Sequence, residues 1–302
     1  MEQVTIKNSY AELTVLNYGA IIKELLVKNK KGERQNIVVG LDPIEDYYKD
    51  EIFLGACVGR FAGRITQGGF TINGHRYELD NINGIHLHGG KRGFGKRHWK
   101  IETIGKGEEP FVKLVYFSSH MEEGYPGNLK AMVTYRLIKN SLHIIHEAYT
   151  DETTVINLTN HSYFQLDDSG DIAHHIMKLK CSEILETDVN TAPTGKILSV
   201  NNTIYDFKEE RSIKDKGIDT PFICPKLDEP IASIYSTISG IRLQVKTNQP
   251  AVVIYTPPQL AAICFETQNF PDAPNQSNFP SALLNPGETY INEAQFIFDL
   301  VP

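Results

Sequence analysis

Short runs of alternating apolar and polar residues occur along most of the chain, and this pattern predicts β-strands. The clearest alternating segments are residues 12–16, 21–27, 69–73, 111–117, 131–137, 142–146 and 252–255. Turn dipeptides separate such runs, among them Lys31-Gly32, Asn83-Gly84 and Ser239-Gly240. Asn73-Gly74 lies between two apolar runs and predicts a tight β-hairpin.

Helical periodicity is scarce by comparison. Residues 43–48 and 208–214 each predict one or two helical turns, and no sustained amphipathic helix follows from the pattern. Without repeats, linkers or low-complexity tracts, we expect residues 1–302 to form one all-β domain, a large antiparallel β-sandwich with few short helices.

Composition narrows the class of protein. The 302 residues are 22% charged and 41% hydrophobic, as in soluble globular proteins. A formal net charge of −7 argues against a nucleic-acid partner or an anionic membrane, and no apolar run is long enough for a membrane span. The first residues do not resemble a signal peptide, and four cysteines (Cys57, Cys181, Cys224, Cys264) lie far apart in the sequence. We therefore expect a cytoplasmic protein with reduced thiols.

The first candidate site is His161, in the run 157–164, among small hydrogen-bonding residues. Histidine exchanges a proton near neutral pH, and Asn160 and Ser162 are placed to hold it, although a lone strand histidine is more often structural. Asn157 and Asn160 also begin Asn-x-Ser/Thr triplets, which matter for glycosylation only in a secreted protein.

The second candidate is Glu266, which we expect near the end of a strand that leads into a Pro-rich loop. An arginine (Arg64) near two glycines is a candidate donor to ligand oxygens, and Asp219 precedes a Pro-containing turn. For each, the alternative is an ordinary surface or turn residue.

Histidines also raise the question of a metal. His86 and His88 would share one face of a strand, but no third ligand accompanies them, and the pairs His143/His146 and His174/His175 lack a supporting Asp, Glu or Cys pattern. Residues 90–96 match a phosphate-loop spacing without its Ser or Thr or a following helix. The sequence therefore favours neither metal catalysis nor nucleotide binding, and it contains no nucleophile elbow.

Taken together, these segments resemble the aldose 1-epimerase family. The resemblance covers nearly the whole chain and is carried by residues 59–65, 87–90 with Gly93 and Phe94, 123–127, 157–164, 217–222, and 266–268 with 270–273 and Asn275. It implies a large antiparallel β-sandwich with an open cleft for a monosaccharide, no cofactor, and interconversion of the α and β anomers of free aldohexoses such as galactose or glucose.

The resemblance also assigns roles. Glu266 resembles the general base at the C1 hydroxyl, and His161 resembles the general acid at the ring oxygen O5. Arg64, His88 and Asp219 correspond to sugar-binding residues, with Tyr163 as a wall or donor. We expect opposite charges to keep His161 protonated while Glu266 is ionised.

Two positions depart from the family pattern: Gly63 stands where many members have Asn, and Val253 where some have Gln, which leaves the preferred sugar open. A hexose-6-phosphate 1-epimerase is the nearest alternative, because Lys91, Arg92, Lys96 and Arg97 form a local basic cluster. A non-catalytic carbohydrate-binding domain would not need both His161 and Glu266, and a glycoside hydrolase would need a second carboxylate paired with Glu266. Oligomeric state does not follow from the sequence.

Overall fold

The computed structural model describes residues 1–213 and 217–301, and strands dominate it. Nine antiparallel strands form the largest sheet, in the spatial order Lys100–Gly105, Phe111–Ser118, Leu129–Ile138, Ser141–Thr150, Tyr290–Leu300, Ile241–Thr247, Ala232–Tyr235, Ile176–Leu179 and Arg211–Ser212. A six-stranded antiparallel sheet has the order Tyr163–Phe164, Ile263–Gln268, Ala251–Tyr255, Asp219–Ile223, Glu183–Thr187 and Pro193–Ser199.

Smaller sheets complete the strand framework. The N-terminal segment forms a four-stranded meander of Gln3–Lys7, Ala11–Leu16, Ile22–Lys28 and Arg34–Asn36. Two-stranded pairs join Cys57–Val58 to Thr159–Asn160, Arg64–Ile65 to His86–Leu87, Gly69–Ile72 to His75–Glu78, and Thr154–Val155 to Leu283–Leu284. The predicted Asn73-Gly74 hairpin is confirmed, since Ile72 pairs with His75 and both turn residues have positive φ.

Helical structure among the described residues is limited to short 3₁₀ segments at Ile44–Lys49, Phe94–Lys96, Glu122–Gly124 and Ala273–Asn275. The first confirms the turn predicted at residues 43–48. The second predicted helix, 208–214, is wrong within its described part: Arg211 and Ser212 instead pair with Met177 and Ile176 at the edge of the nine-stranded sheet. Strand pairing there overrides a weak local helical preference; Lys214 lies outside the described residues.

One hydrophobic core joins the sheets, and this arrangement confirms the expected all-β sandwich. The core takes Val133 from the nine-stranded sheet, Phe222 from the six-stranded sheet and Val15 from the N-terminal meander. Phe164 and Phe296 stack across the two larger sheets with ring centroids 5.3 Å apart. No helix within residues 1–213 and 217–301 has the length and apolar character required to cross a lipid bilayer.

Candidate active site

A cleft that opens to solvent lies beside the six-stranded sheet, and its volume is about 730 Å³ when the solvent space at its entrance is included. The six residues that the sequence analysis proposed for the site all line this cleft: Arg64, His88, His161, Tyr163, Asp219 and Glu266. The other eleven lining residues are Glu51, Ile52, Phe53, Gly63, Leu87, Thr191, Pro221, Val253, Tyr255, Gln268 and Pro271.

His161 lies in the short turn between the strands Thr159–Asn160 and Tyr163–Phe164. The backbone of this turn is fixed on both sides, because the His161 N–H donates to Ala56 O at 2.9 Å and the Gly55 N–H donates to His161 O at 3.1 Å. Asn160 Oδ1 accepts bonds from the Ser162 N–H (3.1 Å) and hydroxyl (2.6 Å). Asn160 and Ser162 thus support the backbone that carries His161 rather than its imidazole.

Asn157 and Asn160, the two glycosylation candidates, are buried and serve internal hydrogen bonds. The Asn157 amide donates to Ala62 O at 3.0 Å and accepts from the Asn269 N–H at 2.8 Å. Both side chains therefore serve the fold through internal hydrogen bonds.

Glu266 is the fourth residue of the strand Ile263–Gln268. The sequence predicts Glu266 near the strand end, and the strand continues for two residues beyond it. This strand pairs with Tyr163–Phe164, with Tyr163 opposite Cys264. The pairing brings Glu266 Oε1 to 3.6 Å from His161 Nε2, although the residues are 105 positions apart in the sequence. At this separation the two groups are close but do not form a hydrogen bond, so both remain available to a ligand in the cleft.

Burial governs the protonation of this pair. Both residues are 3% exposed. Desolvation lowers the pKa of His161 to about 4. Desolvation, with a smaller contribution from the negative charge of Asp219, raises the pKa of Glu266 to about 8, and Arg64 opposes that rise. The expectation that charge attraction favours the ionised pair is therefore wrong, because desolvation favours a protonated carboxyl beside a neutral imidazole.

The surroundings of the His161 ring define which nitrogen faces the cleft. Cys264 Sγ lies 3.6 Å from Nδ1, and burial raises the pKa of this thiol, so Nδ1 faces a neutral group while Nε2 faces Glu266. Tyr163 packs against the imidazole with ring centroids 5.0 Å apart, and its hydroxyl donates to Ile52 O at 2.7 Å. Of its two predicted roles, Tyr163 fits the wall, since its hydroxyl is already bonded.

His88 and His86 do not share a site, contrary to the strand-face prediction. The strand ends at Leu87, and His88 has a φ of 51°, which turns its side chain into the cleft. Its Nδ1 accepts from the Gly63 N–H at 3.2 Å, so the neutral ring carries its proton on Nε2. His86 is instead buried beside Tyr125, whose hydroxyl lies 2.6 Å from its Nε2.

Arg64 and Asp219 form an ion pair in the cleft wall, with Nη2 and Oδ2 3.3 Å apart. Asp219 therefore lines the cleft rather than serving its turn, and its charge acts on Glu266, a proximity that the sequence analysis did not predict. The other arginine of this segment, Arg60, is structural, because it is buried and donates to Pro126 O at 2.7 Å and Gly127 O at 3.0 Å.

The lining residues that the sequence analysis missed include Phe53, Tyr255 and Gln268. Gln268 is two residues after Glu266 on the same strand, so both side chains point to one face, and this spacing was a usable signal. Its Oε1 is buried without a hydrogen-bond partner among the described residues. A side chain at Gly63 would meet Gln268 Nε2 at 3.1 Å, which places the two positions side by side.

The basic cluster at residues 91–97 is partly neutralised. Arg97 Nη2 lies 2.8 Å from Glu122 Oε1 and 3.8 Å from Glu123 Oε1. Gly89 in the preceding turn allows a close approach of two backbone segments, because a Cβ there would lie 1.8 Å from Gly59 O. The glycines of this turn therefore serve chain packing rather than phosphate binding.

Among the residues that the structure describes, two groups of side chains have the donors to hold a metal ion. His88, His161 and Glu266 have ligand atoms within 4.8 Å of one another, as do Asp167, His174 and His175. The second group corrects the sequence prediction that His174 and His175 lack an acidic partner: Asp167, seven residues earlier, lies 2.9 Å from His174 Nε2.

Comparison with known proteins connects this cleft to a family. The family model described as Aldose 1-epimerase matches residues 2–296. The chain is 35% identical to galactose mutarotase from Rattus norvegicus, over 99% of this chain and 94% of that protein, and 31% identical to aldose 1-epimerase from Streptococcus thermophilus, over 96% and 91%. A solved aldose epimerase homologue from C. elegans superposes with a TM-score of 0.94 at 30% identity, covering 100% of this chain and 99% of that one.

Proposed function

The chain belongs to the aldose 1-epimerase family, whose members are isomerases, and we propose that His161 and Glu266 are the acid–base pair with which it interconverts the anomers of a free aldohexose. An aldopyranose opens when the C1 hydroxyl loses its proton and the ring oxygen O5 gains one. Rotation about C1–C2 then presents the other carbonyl face for reclosure. This chemistry requires one acid and one base and no cofactor.

The observation that carries the proposal is the 3.6 Å separation of His161 Nε2 and Glu266 Oε1. The C1 hydroxyl oxygen and O5 are bonded to the same carbon, so groups that act on both must lie close together. A direct hydrogen bond between the two side chains would compete with the sugar, and their spacing leaves both free.

In this scheme Glu266 accepts the proton of the C1 hydroxyl and His161 Nε2 donates a proton to O5. The reactive pair must therefore be an ionised Glu266 and a protonated His161. This state has the same number of protons as the neutral pair, and transfer of the Glu266 proton to Nε2 of a ring protonated on Nδ1 converts one into the other. Sugar hydroxyl donors, together with Arg64, would stabilise the Glu266 carboxylate once substrate binds, and the pair returns to its starting state when the ring recloses.

The other predicted side chains are proposed to bind the sugar. His88 has Nε2–H free to donate to a hydroxyl, and Arg64 and Asp219 offer a donor and an acceptor in fixed positions. Tyr163 holds the His161 ring, and Phe53, whose ring lies 5.0 Å from that of His88, supplies an apolar wall.

Gln268 adds an amide to this binding set. Its unpaired Oε1 and its position beside Gly63 support a role in receiving a sugar hydroxyl where Gly63 contributes no side chain. Val253, opposite Glu266 in the strand pairing, keeps that part of the cleft apolar. We propose that these three positions determine which aldohexose is preferred.

Three further properties are proposed with this function. One domain spans residues 1–302, as supported by a core that draws on residues from Ile6 to Phe298. A cytoplasmic setting and a role in hexose metabolism agree with four free cysteines and with a free-sugar substrate. The ion pairing of Arg97 weighs against a phosphorylated substrate.

The test is polarimetry or NMR on freshly dissolved α-galactose, α-glucose and α-glucose 6-phosphate. We expect the wild type to exceed the spontaneous rate of anomer exchange with at least one free sugar. Exchange of the 6-phosphate alone would favour the phosphosugar alternative. No acceleration with any of the three would contradict the proposal.

A further inference from the structure

A second buried cluster of histidine and carboxylate lies in the segment that joins the two large sheets. This segment follows the strand Tyr163–Phe164 of the six-stranded sheet and precedes the strand Ile176–Leu179 of the nine-stranded sheet. It contributes Asp167, His174 and His175, and Ser236 contacts it from the end of the strand Ala232–Tyr235. None of these four residues lines the catalytic cleft.

We propose that Asp167, His174 and His175 form a binding site for one divalent transition-metal ion. The three ligand atoms are Asp167 Oδ2, His174 Nε2 and His175 Nε2, and all lie within 4.8 Å of one another. Oδ2 is 2.9 Å from His174 Nε2 and 3.7 Å from His175 Nε2. Ligands at zinc-type bond lengths in a tetrahedral arrangement are about 3.3–3.5 Å apart, so the two carboxylate–imidazole distances need to change by about half an ångström or less.

The state of His175 is the independent observation that points to a ligand. Its side chain is 0% exposed, and neither Nδ1 nor Nε2 has a hydrogen-bond partner among the described residues. A buried polar group without a partner costs about 1–3 kcal/mol, which a coordinate bond would offset. The backbone of His175 is held at both ends, by its own N–H to Ile172 O at 3.0 Å and by the Ile213 N–H to its O at 3.0 Å.

The carboxylate is oriented by surrounding donors, as ligating carboxylates commonly are. Asp167 is 2% exposed, its Oδ1 accepts from the Ser169 N–H at 2.9 Å, and the Ser236 hydroxyl donates to its Oδ2. His174 is 30% exposed in its side chain, which provides the route from solvent. Metal binding would replace the Nε2 proton of His174, and the ring would carry its proton on Nδ1 instead.

The donor set selects the kind of ion. Two imidazole nitrogens and one carboxylate oxygen suit Zn²⁺ and its neighbours in the first transition row, whereas Ca²⁺ and Mg²⁺ prefer mostly oxygen. With three protein ligands from one connecting segment, the ion would fix the crossover between the sheets. The expected consequence is a gain in thermal stability rather than a step in catalysis.

The test is equilibrium dialysis of the chelator-treated full chain against Zn²⁺, with bound metal counted by mass spectrometry. His174→Gln keeps a donor for Asp167 but removes the imidazole, and it should weaken Zn²⁺ binding by about 10²-fold or more, since even outer-shell changes cost 10–100-fold. Two matched controls should keep the bound ion. Glu266→Gln disables the other candidate metal group, and His120→Ala alters an exposed histidine 3.1 Å from Glu152.

Thermal unfolding supplies the second measurement: Zn²⁺ should raise the Tm of the wild type and of Glu266→Gln but not that of His174→Gln. The proposal is overturned if the wild type binds no Zn²⁺, or if His174→Gln binds it as the wild type does. It is equally overturned if Glu266→Gln loses the ion, because the cleft would then be the metal site.

Discussion

The proposed acid–base pair, His161 and Glu266, and the Asp167 cluster use the same chemical groups, a buried carboxylate beside histidine, in opposite ways. In the cleft, Glu266 Oε1 and His161 Nε2 are 3.6 Å apart, and no donor within the described residues hydrogen-bonds the carboxylate. In the cluster, Asp167 accepts from Ser169, Ser236 and His174. Burial raises the pKa of Glu266, whereas hydrogen bonds hold the pKa of Asp167 below its usual value despite burial.

This difference shows what separates a reactive carboxylate from a structural one. A carboxylate whose oxygens are already filled by protein donors is stabilised as an anion and has little tendency to take a proton. Glu266 lacks those donors, so its affinity for a proton depends on what enters the cleft. The same contrast predicts different responses to substitution at the two sites.

The largest expected effect is on activity. Glu266→Gln and His161→Ala should each lower the enzyme-dependent rate of anomer exchange by about 10²–10⁴-fold, because each removes one partner of the proton transfer. NMR exchange between the α and β anomers measures this directly. Glu102→Gln and His143→Ala, on the nine-stranded sheet away from the cleft, are the controls and should retain wild-type rates. Wild-type activity in either cleft variant would remove that residue from the mechanism.

Substitutions of Glu266 and Asp167 should also have opposite effects on the thermal stability of the protein. The pKa of Glu266 is raised on folding, so this group destabilises the folded state increasingly as pH rises from its unfolded value of 4.5 towards about 8. Glu266→Gln should therefore raise the Tm at pH 7 by about 2–4 °C, as expected for roughly 1 kcal/mol. Asp167→Asn should lower the Tm by a similar amount or more, since it disturbs buried hydrogen bonds. Calorimetry that finds both variants shifted in one direction would contradict the contrast.

A smaller effect is expected at Gln268. Gln268→Leu removes the unpaired Oε1, and the loss of one substrate hydrogen bond of about 1 kcal/mol should raise KM roughly fivefold with little change in kcat. Gln249→Leu, a glutamine that does not line the cleft, is the matched control. Unchanged KM for galactose and glucose in Gln268→Leu would exclude a binding role.

Much of this site could be predicted from the sequence because the patterns that indicate it lie within short segments of the chain. Alternating strands and the Asn73-Gly74 turn follow from short-range patterns, and the motifs around His161 and Glu266 are specific enough to indicate their family. Burial and spatial neighbours are long-range properties, so their consequences were missed. The approach of Asp167 to His174 and the turn of His88 away from His86 depend on chain geometry, and the pKa values of His161 and Glu266 depend on desolvation.

The most direct test of the proposal that His161 and Glu266 hold one proton between them is the pH dependence of kcat/KM after the spontaneous rate is subtracted. Below about pH 4 both groups are protonated and no base remains, and above about pH 8 both are deprotonated and no acid remains. The account predicts a plateau between these limits, with the upper limit moving down in Asp219→Asn, because the Asp219 charge helps raise the pKa of Glu266. A single inflection near 6.5, the ordinary value for histidine, or no pH dependence would contradict it.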